Sequence, residues 1–291
     1  MVTSDRQISA VLVNYNAGDE LRRALQSLAD ELREMRWEAV VVDNASTDGS
    51  DSIAREFEHV RLLANGENVG FARAVNQGVA ATTAPLVLIM NPDCRLVAGA
   101  VGALRQELQA HERCAIVGPR ILNPDGTVQG SARGDPDMLT GLFGRTSVLG
   151  RLLPWIPTAR RNVLDNAAIR SGQASLVVDW LSGACMLVRR SAFDEVSGFD
   201  ERYFLYWEDA DLCRRLRGAG YHVRYVPGAT AVHRVGHSSA GARAASVRAF
   251  HDSAYLYYTT YNAPGSRHPK RALARLILWG RRSWLLRNAK T

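Results

Sequence analysis

The stretch Leu86-Val87-Leu88-Ile89-Met90-Asn91-Pro92-Asp93 decides how the rest of the chain is read. Five consecutive apolar residues suit a strand buried on both faces, and Pro92 stops the ladder because it has no N–H to donate. Asp93 therefore falls at the carboxyl end of a strand. Ligands bind at that edge of open α/β sheets, so a carboxylate there is a candidate to hold a divalent cation and the phosphates it neutralises. The same tripeptide recurs in Asn123-Pro124-Asp125-Gly126, where Pro and Gly suit an ordinary reverse turn. Asn-Pro-Asp alone thus fits a site or a turn.

Upstream, the same unit repeats. Ile8 to Asn14 reads as a first buried strand, Tyr15 to Asp19 as the loop leaving it, and Leu21, Leu25, Leu28 and Leu32 recur at helical spacing. A second strand, Glu38 to Val42, ends in the polar loop Asp43 to Ser50 and leads to a helix through Ile53 and Phe57. Val60 to Leu63 is a third strand, followed by Asn65 to Gly78, helical in its latter half. Beyond Asp93, Arg95 to Gln109 reads as a helix and Ala115 to Gly118 as a strand. Such alternation predicts a mostly parallel sheet with helices on both faces.

No period holds from Gly134 to Ala174. Order returns with the apolar run Val177 to Val188 and a helix ending near Gly198. The aromatic and acidic stretch Phe199 to Leu212 then flows into a helix that Gly218 or Gly220 stops. A strand, Val223 to Val226, and a loop around His233 to Ser238 close the core.

A chain of 291 residues with 46% hydrophobic content can bury a full core, as one large domain or one domain with appendages. Its start is polar, and no apolar run approaches the roughly 18 residues of a membrane span, so a cytoplasmic protein is expected. Cys94, Cys114, Cys185 and Cys213 lie far apart and read as reduced thiols. The net charge of +7 is concentrated in the tail: from Ser253 onward there are eight basic residues and no acidic one. Leu273, Leu276, Ile277 and Trp284 fall on one side of a tail helix, with Arg271, Arg275 and Arg282 on another. That pattern fits peripheral docking at an anionic membrane or a terminal helix packed on the core. With the basic residues confined to the tail and no recognition motif in sight, no nucleic-acid partner is expected.

Asp43, Asp93, Asp209 and His233 each fall at or just past a strand end or a helix start. Every one has a structural alternative. Asp43 begins good turn chemistry, Arg73 suits a solvated helix face, and Glu208, Asp209 and Asp211 favour the dipole of a helix start. Five aromatics, Phe199, Tyr203, Phe204, Tyr206 and Trp207, crowd that acidic start and suggest a partly desolvated cleft.

Seven ordered blocks, spanning about residues 8 to 240, carry a resemblance: Val13–Asn16, Val41–Ser50, Glu67–Gly78, Met90–Asp93, Trp180–Arg189, Phe204–Cys213 and His233–Ser238. Together they resemble the inverting GT-A glycosyltransferases of family 2, in particular the bacterial rhamnosyltransferase-like members. The resemblance implies a Rossmann-like GT-A domain over residues 1–245, with a nucleotide-sugar half to about 120 and an acceptor half beyond it. Residues 246–291 then form a basic helical extension.

What the resemblance implies for the site is specific. Asn14, Asn16 and Asp43 would contact the nucleoside, and Asn68, Gly70 and Arg73 would lie along the nucleotide. Asp93 and His233 would bind Mg²⁺ or Mn²⁺. Asn91 stands where the family usually has a first aspartate. Asp209 would be the general base, with Trp180, Gly183, Trp207 and Glu208 on the acceptor side. The expected donor is dTDP-rhamnose and the expected acceptor a glycan or polyprenyl-linked sugar. A UDP- or GDP-hexose donor, or a scaffold without catalysis, are the alternatives.

Overall fold

The computed structural model describes residues 7–135, 172–234, 243–266 and 268–288. Most of the irregular segment after Gly134, and Val235 to Ser238 of the last block, lie outside the described residues. Four strands follow the expected alternation: β1 (Ile8–Asn14), β2 (Trp37–Asp43), β3 (Val60–Ala64) and β4 (Leu86–Met90). Then come β5 (Cys94–Leu96), β6 (Cys114–Leu122), β7 (Ala132–Arg133), β8 (Leu176–Val178), β9 (Trp180–Leu181), β10 (Cys185–Arg189) and β11 (His222–His233). The helices are α1 (Asp19–Leu32), α2 (Phe71–Ala80), α3 (Ala100–Ala110), α4 (Arg190–Glu195), α5 (Glu208–Gly218), α6 (Arg243–Tyr261) and α7 (Lys270–Asn288).

Nine strands form one sheet in the order β3-β2-β1-β4-β10-β6-β11-β5, with β8 pairing β11 beside β5. β1 is parallel to β2 and β4, β2 to β3, and β6 to β11; β10 runs antiparallel between β4 and β6. The side-chain period of two sorts β1 between two cores. Ile8, Ala10 and Leu12 face one core with Leu21, Leu25 and Leu28 of α1 and Leu104 and Leu108 of α3. Val11 and Val13 face the other, with Val75 of α2, Phe193 of α4 and Leu212 and Leu216 of α5. Truncating a fully buried leucine such as Leu25 to alanine costs about 2–5 kcal/mol.

Three expectations are corrected. Cys94 to Leu96 pairs with β11, so the helix expected from Arg95 begins only at Ala100. Ser50 to Glu56 is a 3₁₀ helix entered from Gly49 at φ +78°, and it ends before Phe57. The last strand does not stop at Val226: it crosses Pro227-Gly228 through a register shift and runs on to His233.

Candidate active site

Strand direction brings the candidates to one edge. Asn14 and Asp43 are register partners at the carboxyl ends of β1 and β2, β4 ends beside them, and antiparallel β10 starts opposite Met90. The loops leaving that edge are tied together by side chains. Asn14 Nδ2 donates to Asp43 Oδ1 at 2.7 Å and to Ser50 Oγ at 2.8 Å, and Ser46 N–H donates to Asp43 Oδ2 at 2.9 Å. Asn16, at φ +53°, accepts from Thr47 N–H through its Oδ1 at 2.7 Å. The Asp43 carboxylate thus holds the turn, and that turn lies at the carboxyl edge of the sheet.

Asn44 is a residue that sequence reasoning quoted without a role. Its backbone N–H donates to Asn14 O at 2.8 Å, and its Nδ2 lies 3.2 Å from Asn68 Oδ1 and 3.3 Å from Gly70 O. One amide therefore joins the Asp43 loop to the Asn68–Gly70 turn. At Gly70, φ is +88°, and a Cβ there would lie 2.6 Å from the carbonyl oxygen of Phe204. That closeness permits Phe71 N–H to donate to the same oxygen at 2.7 Å, which pins the aromatic loop to the start of α2. Asn76 adds a second clasp, donating to Phe199 O and accepting from Phe199 N–H, each at 2.9 Å. Arg73 behaves as the solvated residue it resembles: it is 57% exposed, 3.8 Å from Glu201 of that loop.

Asp93 and His233 meet although 140 positions separate them, because Cys94 of β5 pairs with His233 of β11. His233 Nε2 lies 3.1 Å from Asp93 Oδ1 and 3.3 Å from Asn91 Nδ2. Gln129 decides which ring nitrogen faces the carboxylate as a lone pair. Its Nε2 donates to Asn123 Oδ1 at 2.8 Å and to His233 O at 2.5 Å, so its Oε1 is the acceptor 3.0 Å from His233 Nδ1. The proton of the neutral imidazole therefore sits on Nδ1. The Nε2 lone pair, within reach of the Asn91 amide, then lies beside a carboxylate oxygen, a donor pair that a metal cation between them would complete. No cluster of three or more His, Cys, Asp or Glu suits a metal among the described residues, so a cation held by this pair would need other ligands such as phosphate and water.

Ser182-Gly183-Ala184, entering β10, joins this turn to Asp209. Asn91 N–H donates to Ala184 O at 2.9 Å, while Gly183 N–H donates to Asp209 Oδ2 at 2.8 Å. Asp209 Oδ1 accepts from Ala210 N–H at 2.8 Å. Burial pushes the Asp209 carboxyl above the usual carboxylate range, and the two backbone donors and the Arg133 guanidinium pull it part of the way back. Its neighbour Glu208 is buried with Oε2 unpartnered; burial, then the Asp209 charge, raise its proton affinity well above normal.

The chain as a whole is similar to known proteins. The family model for glycosyl transferase family 2 matches residues 9–197, and a second model, glycosyl transferase family group 2, matches 150–279. An N-acetylglucosaminyl-diphospho-decaprenol L-rhamnosyltransferase of Mycobacterium tuberculosis is 36% identical over 91% of this chain and 88% of its own. The chain belongs to glycosyltransferase family 2. The dTDP-rhamnosyl transferase RfbF of Shigella flexneri is 24% identical, covering 88% of this chain and 78% of its own. Among solved structures, the mannosyltransferase PcManGT of Pyrobaculum calidifontis, in complex with GDP-Man and Mn²⁺, superposes with a TM-score of 0.59. It is 17% identical and covers 99% of this chain and 74% of its own, which shows the shared GT-A fold.

Before Glu208 and Asp209 of this glycosyltransferase the backbone is strained. Tyr206 and Trp207, both bulky, occupy the left-handed region at φ +69° and +72° immediately before Glu208. Such residues cost about 1–2 kcal/mol each, and contacts from α6 offset that cost. Phe250 packs its ring 5.9 Å from Tyr206 and 5.8 Å from Trp207, Tyr257 packs on Trp207 at 5.3 Å, and Ser253 Oγ donates to Leu205 O at 3.0 Å. Trp180 lies on β9 with Arg133 over its ring at 5.0 Å, and its Nε1 donates to Gly134 O at 2.9 Å. The expected residues Trp180, Gly183, Trp207 and Glu208 thus fall around Asp209 through β9, the β10 entry and the aromatic loop. Gln129, Asn44, Asn76 and Arg133 were missed; Asn44 and Asn76 lay within blocks already singled out.

Proposed function

We propose that this glycosyltransferase moves L-rhamnose from dTDP-rhamnose, with inversion, to a hydroxyl of a polyprenyl-diphosphate-linked glycan in cell-envelope polysaccharide synthesis. The observation that carries the proposal is the 36% identity to the mycobacterial rhamnosyltransferase over 91% of the chain. The name of the Shigella relative supports dTDP as the nucleotide.

In this reading Asn14, Asn16 and Asp43 contact the nucleoside, and Asn68, Gly70 and Arg73 line the nucleotide. Asp93 and His233 hold Mg²⁺ or Mn²⁺, and the convergence of their lone pairs supports it; Asn91 presents an amide at the same turn. The cation, when bound, neutralises charge that develops on the departing nucleoside diphosphate. Asp209 accepts the proton of the acceptor hydroxyl as its oxygen attacks the anomeric carbon opposite the leaving group. A single displacement by one base inverts that centre. Its raised proton affinity makes Asp209 a stronger base than an exposed aspartate. Trp180, Gly183, Trp207 and Glu208 border the acceptor. A lipid-linked acceptor also requires peripheral contact with the cytoplasmic face of a membrane, which we assign to the C-terminal helices.

The test is a thermal-shift series with dTDP, UDP, GDP and their sugars, with and without Mn²⁺, followed by transfer to a synthetic lipid-diphosphate sugar. A metal-dependent shift largest with dTDP-rhamnose, and product with an inverted anomeric centre, are expected. A larger shift with UDP- or GDP-hexose moves the donor assignment, and no response to any nucleotide refutes the reading.

A further inference from the structure

The outer face of α7 is the largest apolar feature that the glycosyltransfer reading leaves unused. Nine large hydrophobic residues are exposed among the described residues, and four of them, Leu273, Leu276, Trp279 and Trp284, lie on this one helix. At about 100° per residue they occupy one continuous arc of roughly 140°. The opposite face is already used: Ala274 is buried with Tyr258 and Ala263 of the α6 end, and Arg271 donates to Ala263 O at 3.0 Å and Thr259 O at 3.1 Å. The helix carries Lys270, Arg271, Arg275, Arg281, Arg282 and Arg287 and no acidic residue. Arg282 is paired to Asp252 at 2.8 Å and Arg281 lies over Phe250, which leaves Lys270, Arg275 and Arg287 exposed along the apolar arc. Between α6 and α7 runs a groove of about 730 Å³ that includes Tyr255, Arg275, Leu276 and Trp279 in its lining.

We infer that α7 lies in the interface of an anionic phospholipid bilayer. Leu273, Leu276, Trp279 and Trp284 enter the headgroup and acyl boundary, and Lys270, Arg275 and Arg287 sit among lipid phosphates. This inference rests on the reading that the acceptor is lipid-linked. Charge selects the occupant: a second copy would bring two helices of unbroken positive charge face to face, whereas an anionic surface complements them. Tryptophans flanked by cations are the composition that favours the boundary between water and lipid. Location adds to the case, because Arg281 contacts Phe250, and Phe250 contacts Tyr206 and Trp207, the residues that precede Glu208 and Asp209. A bilayer under α7 therefore lies across that helix and the Arg281 and Phe250 side chains from the loop that leads into Asp209.

The experiment is co-sedimentation of the full chain with vesicles of phosphatidylcholine, alone or mixed with phosphatidylglycerol, at low and high salt. The wild type is expected to bind the mixed vesicles and to be released by salt. Leu276→Gln with Trp279→Gln, and Lys270→Gln with Arg275→Gln, should each lower partitioning about tenfold or more while keeping the melting temperature and the nucleotide-induced shift. Equal binding to neutral vesicles, or wild-type partitioning by both variants, overturns the inference. So does a dimer in light scattering that Leu276→Gln disperses, since that gives the face to a second copy. Docking that survives while a lipid-linked acceptor goes unmodified upholds this inference and defeats the acceptor assignment.

Discussion

Replacing Asp209 by asparagine removes the proposed base and tests how much else the residue does. Each carboxylate oxygen accepts one backbone N–H at 2.8 Å, from Gly183 and from Ala210. A carboxamide has one oxygen, so its NH₂ must face one of those donors, a mismatch of about 1–3 kcal/mol. Relief of the charge whose burial raises the aspartate's proton affinity works in the opposite direction, so the net loss of stability stays at or below about 3 kcal/mol. The loss in rate is larger, since general-base catalysis contributes about 10²–10⁴-fold, or about 3–5 kcal/mol of barrier. Donor binding should change little. Gly183 is next to Ala184, whose carbonyl holds the Asn91 turn, so a donor affinity within about threefold of wild type would show that this turn has not moved. The assay is kcat at saturating donor, with donor Kd measured separately. In the wild type, kcat/KM falls as pH drops through the raised pKa of Asp209, because protonation removes the base; the variant's residual rate should lack that limb. A variant retaining more than about a tenth of wild-type kcat, with the acid limb intact, would refute the assignment.

Gly70→Ala should cost about 2–4 kcal/mol in urea denaturation, from a left-handed backbone at φ +88° and a Cβ 2.6 Å from Phe204 O; a loss below about 1 kcal/mol would mean the aromatic loop is not held there. Gln129→Leu frees the His233 ring and should weaken Mn²⁺ binding about 10–100-fold, measured by metal-dependent thermal shift in the presence of dTDP. Glu208→Gln bears on pH. The folded state raises the pKa of Glu208, so it binds more protons than the unfolded chain above the ordinary value of 4.5, and wild-type stability falls as pH rises through that window. The glutamine variant should lose about one proton's worth of that slope, roughly 1.4 kcal/mol per pH unit, in urea titrations at a series of pH values. Phe250→Ala removes the ring packed on Tyr206 and Trp207 and should lower kcat more than donor affinity; equal effects on both would argue against a role confined to the acceptor loop.

The expected donor half was legible because its strands are mainly apolar runs that end in polar loops. Ile8 to Asn14, Glu38 to Val42 and Leu86 to Met90 each carry enough β-branched and aliphatic residues to declare a buried parallel strand, and the end of a strand marks the binding edge. Asp93 could therefore be placed from its own neighbours. His233 was singled out but assigned to a loop, because Pro227-Gly228 is a turn signal within any short window. Only pairing with β6 and β5 on either side carries β11 across it. β5 was hidden for the converse reason: three residues, Cys94-Arg95-Leu96, carry no periodicity, and the helical pattern that follows absorbs them.

What the sequence did not carry are contacts whose meaning depends on two distant segments. Gln129 is one glutamine after a hairpin until the Asn123 and His233 carbonyl oxygens fix its amide and make it decide the tautomer of the imidazole beside Asp93. Arg133 is a lone arginine until Trp180 lies under it and Asp209 comes within its field. The acceptor loop shows the same dependence more strongly. Nothing within Phe204 to Asp209 prefers a left-handed tyrosine and tryptophan; the conformation exists because Phe250, Ser253 and Tyr257, some forty to fifty positions downstream, pack and bond against it. The tail was read as an appendage from its charge, yet its first helix holds the backbone that leads into Asp209. Since α7 packs on that same helix, whatever seats α7 also bears on the position of Asp209. Under the proposed function the donor-side residues lie along one edge of the sheet, whereas the loop that leads into Asp209 takes its conformation from contacts with the C-terminal helices.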